Sequence, residues 1–391
     1  MHLNFSPHRN ISNNLILGGC SFDAIYSVSY DSLDFGPSLC EENEITLSEM
    51  WYPYISSRYA VEMLGSCNGL VCLMYNFRSF SGNGNGSGFC TKFFFCIWNP
   101  ATHEYKKVGE PTNKIAFENI GIYDFGCDYK NDDYKLVIGL NSTHTGSVVQ
   151  VYTLGSDSWG SFITIPYFFY SNRKSGVLVN GNIHWLAEQG RLIVSLDISD
   201  ERFKVMEVPI ELRENGHWFI TAAVLEGYLC VLVVFDTDTD DYGDGSDDDD
   251  GGDDDHGPVE VWVMQDYGVR ESWIKRYIIT HEIIARNIMH HSFSLRFMWF
   301  SKNGQILITE SGKLVLYDPK DGNAIERGMG RARGFRSEAS YSESLVSVNS
   351  GTYARKGHIE EPIETENPKK KNMRMDWFLI SCVQLTRYSL Q

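Results

Sequence analysis

No stretch of the sequence stays apolar for the ~20 residues that a membrane-crossing helix needs. The longest apolar run near the C-terminus, Trp377 to Val383, is far shorter. No signal-type apolar core follows Met1. The nine cysteines (positions 20, 40, 67, 72, 90, 96, 127, 230 and 382) are odd in number and scattered through apolar segments. Without a secretory start, they read as free, buried thiols of a reducing compartment. The sequons at Asn10, Asn85 and Asn141 then read as chance matches. The expectation is a soluble protein of the cytoplasm, the nucleus or both, with no membrane partner.

Basic charge is also scarce, with 34 Lys and Arg against 51 Asp and Glu for a net charge of −17. Much of the excess is local: Asp236 to His256 holds 12 Asp and neither Lys nor Arg. A chain with no general basic patch is not expected to bind nucleic acid. Asp236, Asp238 and Asp240 occupy positions 1, 3 and 5 of a calcium loop. Position 6 is Asp241 instead of Gly, and position 12 is Asp247 instead of a bidentate Glu. Like charges interspersed with Gly favour a solvated, disordered insertion over a cation site.

Catalytic signatures are missing too. Gly65-Ser66 and Gly155-Ser156 lack the second Gly of a nucleophile elbow. The Gly82–Gly88 run lacks the Lys of a phosphate loop and reads as a hairpin tip. Cys67 and Cys72, with Cys90 and Cys96, do not give a zinc spacing and are expected to be small buried hydrophobes. His281, His290 and His291 have no ligand motif around them. No metal, cofactor or catalytic residue is nominated, and the chain is expected not to be an enzyme.

What the sequence has in quantity is aromatic residues: 22 Phe, 21 Tyr and 9 Trp in 391 positions. Such residues suit a pleated, half-buried surface. They recur in one pattern, in which a strand ends on an aromatic or Leu, a polar turn follows, and an aromatic opens the next strand. Trp98 to Tyr105, Tyr152 to Trp159 and Leu196 to Phe203 are copies, as is Trp262 to Trp273 with a longer turn. Tyr317 to Ile325 ends on Ile one place late. With the acidic run set aside, the copies stand roughly 50 residues apart, the length of one four-stranded propeller blade.

Another strand pair is expected ahead of each copy, and Asn180-Gly181 is a strong hairpin signal within one of them. Five blades are readable. A sixth is expected from an N-terminal strand at Ala24–Tyr30 and a late strand at Ser344–Val348, which together close the ring; seven blades is the other count considered. The competing architecture is an irregular β-sandwich. Helix is expected to be rare, with Thr280–His290 the best candidate. Trp98, Trp159 and Trp273 read as structural, so no partner-binding residue is named.

The ordered motifs resemble the plant F-box-associated interaction domain. The resemblance begins at Gly65-Ser66-Cys67-Asn68-Gly69-Leu70-Val71-Cys72 with Trp98-Asn99-Pro100-Ala101-Thr102, then Val151-Tyr152 with Ser156-Asp157-Ser158-Trp159. It continues through Val179-Asn180-Gly181 with His184-Trp185-Leu186-Ala187, Val261-Trp262-Val263-Met264 with Glu271-Ser272-Trp273, and Leu316-Tyr317-Asp318-Pro319. This implies an all-β, β-propeller-like domain of the kelch and galactose-oxidase type, with about six four-stranded blades closed by terminal strands.

The resemblance further implies the substrate-recognition half of a Skp-cullin-F-box ubiquitin ligase, binding a target protein through the loops of one propeller face. Members usually carry an F-box that docks a Skp adaptor and, through it, a cullin. The chain opens at Met1-His2-Leu3-Asn4, which resembles the segment just after that box. Adaptor contacts are therefore expected only if an F-box is supplied, and the alternative is an F-box-less regulator or decoy that binds the same targets. The expected organisation is a post-F-box linker remnant at 1–14 and the propeller at 15–350, with 236–256 inserted. A charged, largely disordered tail follows at 351–391, including Lys369-Lys370-Lys371.

Overall fold

Short aromatic and β-branched strands separated by tight turns fold here as successive antiparallel meanders. The computed structural model describes residues 13–18, 24–33, 45–56, 58–77, 93–109, 111, 120–142, 146–169, 175–214, 218–235, 258–280, 296–301, 304–310, 312–329, 335 and 337–349. The acidic run, the glycine-rich run, His281, His290, His291, the helix expected at Thr280–His290 and the tail from 351 lie wholly or almost wholly outside these residues.

Six sheets form a six-bladed β-propeller. Blade 1 is β4 (Tyr59–Cys67), β5 (Leu70–Phe77), β6 (Phe93–Trp98) and β7 (Tyr105–Val108). Blade 2 is β8 (Ile120–Asp128), β9 (Asp133–Asn141) and β10 (Ser147–Thr153), with its outer position shared by β11 (Ser158–Trp159) and β12 (Ile163–Ile165). Blade 3 is β13 (Val177–Val179), β14 (Asn182–Ala187), β15 (Leu192–Asp197) and β16 (Arg202–Glu207). Blade 4 is β17 (Trp218–Leu225), β18 (Tyr228–Phe235), β19 (Val259–Met264) and β20 (Trp273–Ile279). Blade 5 is β21 (Arg296–Phe300), β22 (Ile306–Glu310), β23 (Lys313–Tyr317) and β24 (Ala324–Arg327). Among the described residues, helix is limited to α1 (Glu211–Glu214) and three 3-10 turns.

Blade 6 closes the ring. Its inner strand is β25 (Ser337–Ser342), and β1 (Asn13–Gly18), β2 (Ile25–Ser29) and β3 (Ser48–Met50) lie outside it. Residues 337–342 pair with 13–18, from Gly18 opposite Ser337 to Asn13 opposite Ser342. The late strand expected at Ser344–Val348 thus begins seven residues too far along the chain. Ser337-Glu338-Ala339-Ser340-Tyr341-Ser342 has too few apolar residues to read as a strand, yet it forms the ladder. The more apolar Ser344–Val348 becomes a strap, hydrogen-bonded through its backbone to Asn99 and Glu104 with Val346 and Val348 packed in the seam of blades 1 and 2.

The core is not one central mass but six apolar seams, one between each pair of neighbouring blades. Ile97, Phe95 and Leu136 belong to the seam of blades 1 and 2, and Val194, Ile183 and Val149 to that of blades 2 and 3. Strand alternation explains this: successive side chains point to opposite faces, so each blade feeds the two seams beside it. Burying a large apolar side chain contributes about 1.5–3 kcal/mol, and Trp98, Tyr75 and Phe95 are fully buried.

The outer strands carry charge: Lys106 and Lys107 on β7, Arg202 and Lys204 on β16, Lys275 and Arg276 on β20. Charged outer edges discourage strand addition by another chain.

Candidate interaction face

The meander fixes which connections share a face. With parallel inner strands, supported by the isolated parallel bridge of Tyr123 with Ser175, the first–second connections of blades 1 to 5 and the third–fourth connections of every blade lie at one end. The second–third connections and the links between blades lie at the other. The first end is the turn face and the second the loop face.

The turn face is built from tight, internally satisfied turns. Asn68-Gly69, Asn180-Gly181 and Glu226-Gly227 each take two consecutive positive φ angles, 47° and 82°, 51° and 74°, 52° and 83°. This is the two-residue hairpin geometry that matches strand twist. The outer turns are the aromatic–turn–aromatic copies. In the first, Asn99 accepts from Ala101 N at 2.9 Å, and Asn99 N–H donates to Glu104 O at 2.8 Å.

The returning aromatic then bridges blades. Trp159 Nε1 donates to Gly109 O at 2.9 Å, beyond the end of β7. Trp273 Nε1 donates to Glu207 O at 3.2 Å, at the end of β16. These two tryptophans are structural cross-links, and the fully buried Trp98 is a core residue. The fifth copy departs from the pattern: Ile325 is 47% exposed.

The turn face is also tied together electrostatically. Lys135 of blade 2 is buried, with Nζ 3.2 Å from Asp128 Oδ2 and 2.8 Å from Glu201 Oε1 of blade 3. It also donates to Ile198 O at 2.8 Å. Burial alone would raise the Asp128 pKa, but hydrogen bonds from Asn131, Ser199 and Lys135 outweigh it and hold the carboxyl below its ordinary value. The Lys135 ammonium is pulled down by burial and up by Glu201 and Asp128, with a net rise.

Between blades 3 and 4, His184 Nδ1 lies 3.1 Å from Val177 O, and Nε2 lies 2.8 Å from the Tyr267 hydroxyl. A ring that donates from Nδ1 and accepts at Nε2 is neutral, and burial lowers its pKa to about 4.

The strap crosses this face over blade 1. Asn99 Nδ2 donates to Ser344 O at 3.1 Å and Val346 O at 2.7 Å. Glu104 Oε2 accepts from Ser347 Oγ at 2.5 Å and Val348 N at 3.0 Å, and Val348 is buried in the seam of blades 1 and 2. Gly69 fits beneath: a Cβ there would lie 2.1 Å from Ser344 Oγ. In the sequence Ser344–Val348 reads as a strand and not as a strap. The signal that could have found it is Asn99, a buried side chain with both donor and acceptor capacity in the most specific motif.

Among the described residues, the Cys and Ser side chains weighed for chemistry do not converge on one site. Cys67 and Cys72 face blade 2 while Cys96 faces blade 6. Cys67, Cys72, Cys96, Cys127 and Cys230 are buried free thiols. Burial raises the Cys72, Cys96 and Cys230 pKa values. Ser66 Oγ donates to Ser340 O, tying β4 to the closing strand, and Ser156 pairs with Ser158 at 2.8 Å on an exposed turn. Among the described residues, no group of three or more His, Cys, Asp or Glu side chains is arranged to hold a metal ion, and no helix is long and apolar enough to cross a membrane.

The loop face differs in kind. Its connections are uneven in length, from the Glu188–Gly190 turn between β14 and β15 to the segments between Phe77 and Phe93 and between Phe235 and Val259. Uneven connections carried on a rigid scaffold are where recognition usually resides.

Residues 20–348 match the profile of the F-box associated beta propeller domain. F-box protein At3g07870 of Arabidopsis thaliana is 28% identical over 328 residues, spanning 72% of this chain and 69% of its own length. F-box protein CPR1 of the same plant is 25% identical over 335 residues, spanning 75% and 67%. F-box/kelch-repeat protein At3g23880, also of Arabidopsis thaliana, is 23% identical over 295 residues, spanning 74% and 69%.

Proposed function

Because the chain belongs to the F-box associated beta propeller domain family, we propose that it is a protein-recognition module, the substrate-binding half of a Skp-cullin-F-box ubiquitin ligase. The observation that carries this reading is the asymmetry of the two faces. Turn-face side chains are spent on holding blades together: Asn99 and Glu104 on the strap, Lys135 on Asp128 and Glu201, Trp159 and Trp273 on the preceding blade. The loop face is left to vary around the rim of a stiff ring, and the target polypeptide binds there. The protein acts in the cytoplasm or nucleus and performs no catalysis itself. Skp adaptor and cullin join through an F-box, and binding without one makes the chain a competitor for the same targets.

The test starts from a direct partner, identified by proximity labelling and then purified. Binding of that partner is measured to the intact chain, to a chain with residues 78–92 and 236–257 replaced by Gly-Ser linkers, and to a Tyr129→Ala, Tyr228→Ala variant of the turn face. Affinity at least tenfold weaker in the loop replacement, with the turn variant unchanged, supports the proposal. The opposite pattern overturns the choice of face. Target abundance that rises on overexpression of the chain supports the competitor role over delivery.

A further inference from the structure

Cys67 and Cys127 meet at the turn-face end of the seam between blades 1 and 2. Cys67 is the last residue of β4 and Cys127 the last but one of β8, the inner strands of those blades. The two backbones come close just before this point: a Cβ on Gly65 would lie 3.0 Å from Phe125 N and 3.1 Å from Phe125 O. Two residues further along both strands stand the cysteines, and the Cys127 thiol donates to Cys67 Sγ. Polar neighbours hold both sulfurs in place. Asn68 Nδ2 donates to Cys127 Sγ at 3.3 Å, and the Tyr129 hydroxyl lies 3.9 Å from Cys67 Sγ.

This pair is set apart from the other cysteines of the described residues by its reach to solvent. Cys72, Cys96 and Cys230 are fully buried, whereas Cys67 and Cys127 keep 7% and 4% exposure. The Tyr129 residue that touches Cys67 is itself 59% exposed, so the sulfur lies one side chain below the surface. The two thiols are also unlike each other. Hydrogen bonds from the Cys127 thiol, from Tyr129 and from the Cys127 backbone outweigh burial and lower the Cys67 pKa. Giving that hydrogen bond, together with burial, raises the pKa of Cys127. A cysteine inclined to the thiolate beside a protonated partner is the arrangement of an attacking and a resolving thiol.

We propose that Cys67 and Cys127 form a reversible oxidation site, which hydrogen peroxide converts to a disulfide joining blades 1 and 2. The Cys67 thiolate attacks one peroxide oxygen, the O–O bond breaks, and the hydroxide takes up the thiol's proton and leaves as water. Cys67 is then a sulfenic acid. The Cys127 sulfur attacks the Cys67 sulfur and gives up its proton; the S–O bond breaks, and hydroxide leaves with that proton as a second water. Two thiols and one peroxide thus become one disulfide and two waters. The close approach of β4 and β8 at Gly65 suits the Cα separation of about 4.4–6.8 Å that a disulfide needs. Two molecules of a low-molecular-weight thiol restore the pair by exchange and end as a disulfide themselves. In a reducing compartment such a bond is transient and reports oxidant. The site lies on the turn face and stands whether or not a target binds the loop face.

The test treats the purified full chain with a small molar excess of hydrogen peroxide, then maps its thiols by mass spectrometry after alkylation without reductant. The expected product is a cross-linked pair of peptides containing Cys67 and Cys127, reopened by dithiothreitol. The oxidised chain should melt several degrees above the reduced one, because the cross-link restricts the unfolded state. Cys127→Ser, whose hydroxyl can still donate, should accumulate a Cys67 sulfenic acid that dimedone traps. Cys67→Ser should give neither the cross-link nor an adduct at Cys127. If either variant fails to fold, the parent's thiol map and melting shift decide alone. Four results would overturn the proposal. The parent could keep both thiols free under peroxide, or join them to other cysteines instead of each other. The fully buried Cys72, Cys96 and Cys230 could oxidise as fast as the pair, which would mark unfolding and not a built site. The cross-linked chain could melt lower, which would mean that the sulfurs are not placed to bond.

Discussion

His184 and Lys135 show how single residues hold the blades in register, and each gives a signed expectation. In the fold, His184 is neutral with a pKa of about 4, whereas an unperturbed imidazole titrates near 6.5. The unfolded chain therefore takes up a proton at a higher pH than the folded chain. The contribution of His184 is complete above about pH 6.5 and is lost as pH falls towards 4, about 3 kcal/mol in all. Urea unfolding between pH 7 and 4 should show this loss in the parent and a flatter profile in His184→Gln, whose stability at pH 7 is already lower. Equal slopes would rule the histidine out as the titrating group. Lys135→Met strands the buried Asp128 carboxylate and should cost about 3 kcal/mol, the low end for breaking a buried pair, because Asn131 and Ser199 still donate to it. Glu201→Gln removes the more exposed partner and should cost under about 1 kcal/mol. If the two variants melted alike, the desolvation argument for Asp128 would fail.

At the scale of the element, two turns with the same backbone have different neighbours. Gly69 and Gly181 both sit at positive φ, 82° and 74°. A Cβ at Gly181 meets nothing within 4 Å, whereas one at Gly69 runs into Ser344 of the strap. Gly181→Ala should therefore cost only the left-handed strain, about 1 kcal/mol. Gly69→Ala should cost more, and peptides covering 343–349 should exchange amide hydrogens faster; similar losses at both sites would separate the strap from this turn. Asn99→Ala should loosen the same peptides at a cost of about 1–3 kcal/mol, because it leaves two strap carbonyls unsatisfied. The outer hairpins were legible in the sequence because each is local, an aromatic, a turn and an aromatic within a dozen residues. Asn180-Gly181 was legible as a turn for the same reason. The innermost strand of blade 6 was not, since Ser337–Ser342 earns its place by pairing with β1 and has little apolar patterning of its own. The asymmetry of the two faces was not readable in the repeat itself; recognition through one propeller face was expected only from the family resemblance.

For the whole molecule, closure is the step on which the other blades depend. A ring of blades has no open seam only when the last meets the first, and here six residue pairs join 13–18 to 337–342. Such pairing is far apart in sequence and is expected to form late, since loop closure must precede the contacts that reward it. Ending the chain after Arg336 removes β25 and the strap together. That exposes the inner edge of β1, where Leu15, Ile16 and Leu17 are otherwise fully buried, and bares the side of blade 1 that met β25. The truncated chain should lose its cooperative thermal transition and aggregate, as unpaired apolar edges do. Ending it after Asn349 keeps both elements and should preserve the transition. A synthetic peptide of residues 337–349 added to the shorter chain should restore a transition whose midpoint rises with peptide concentration, by mass action on the folded state. A shorter chain that unfolds at the midpoint of the longer one, with no response to peptide, would show that five and three-quarter blades are stable alone and that the terminal strands are ornament on a ring held by its seams.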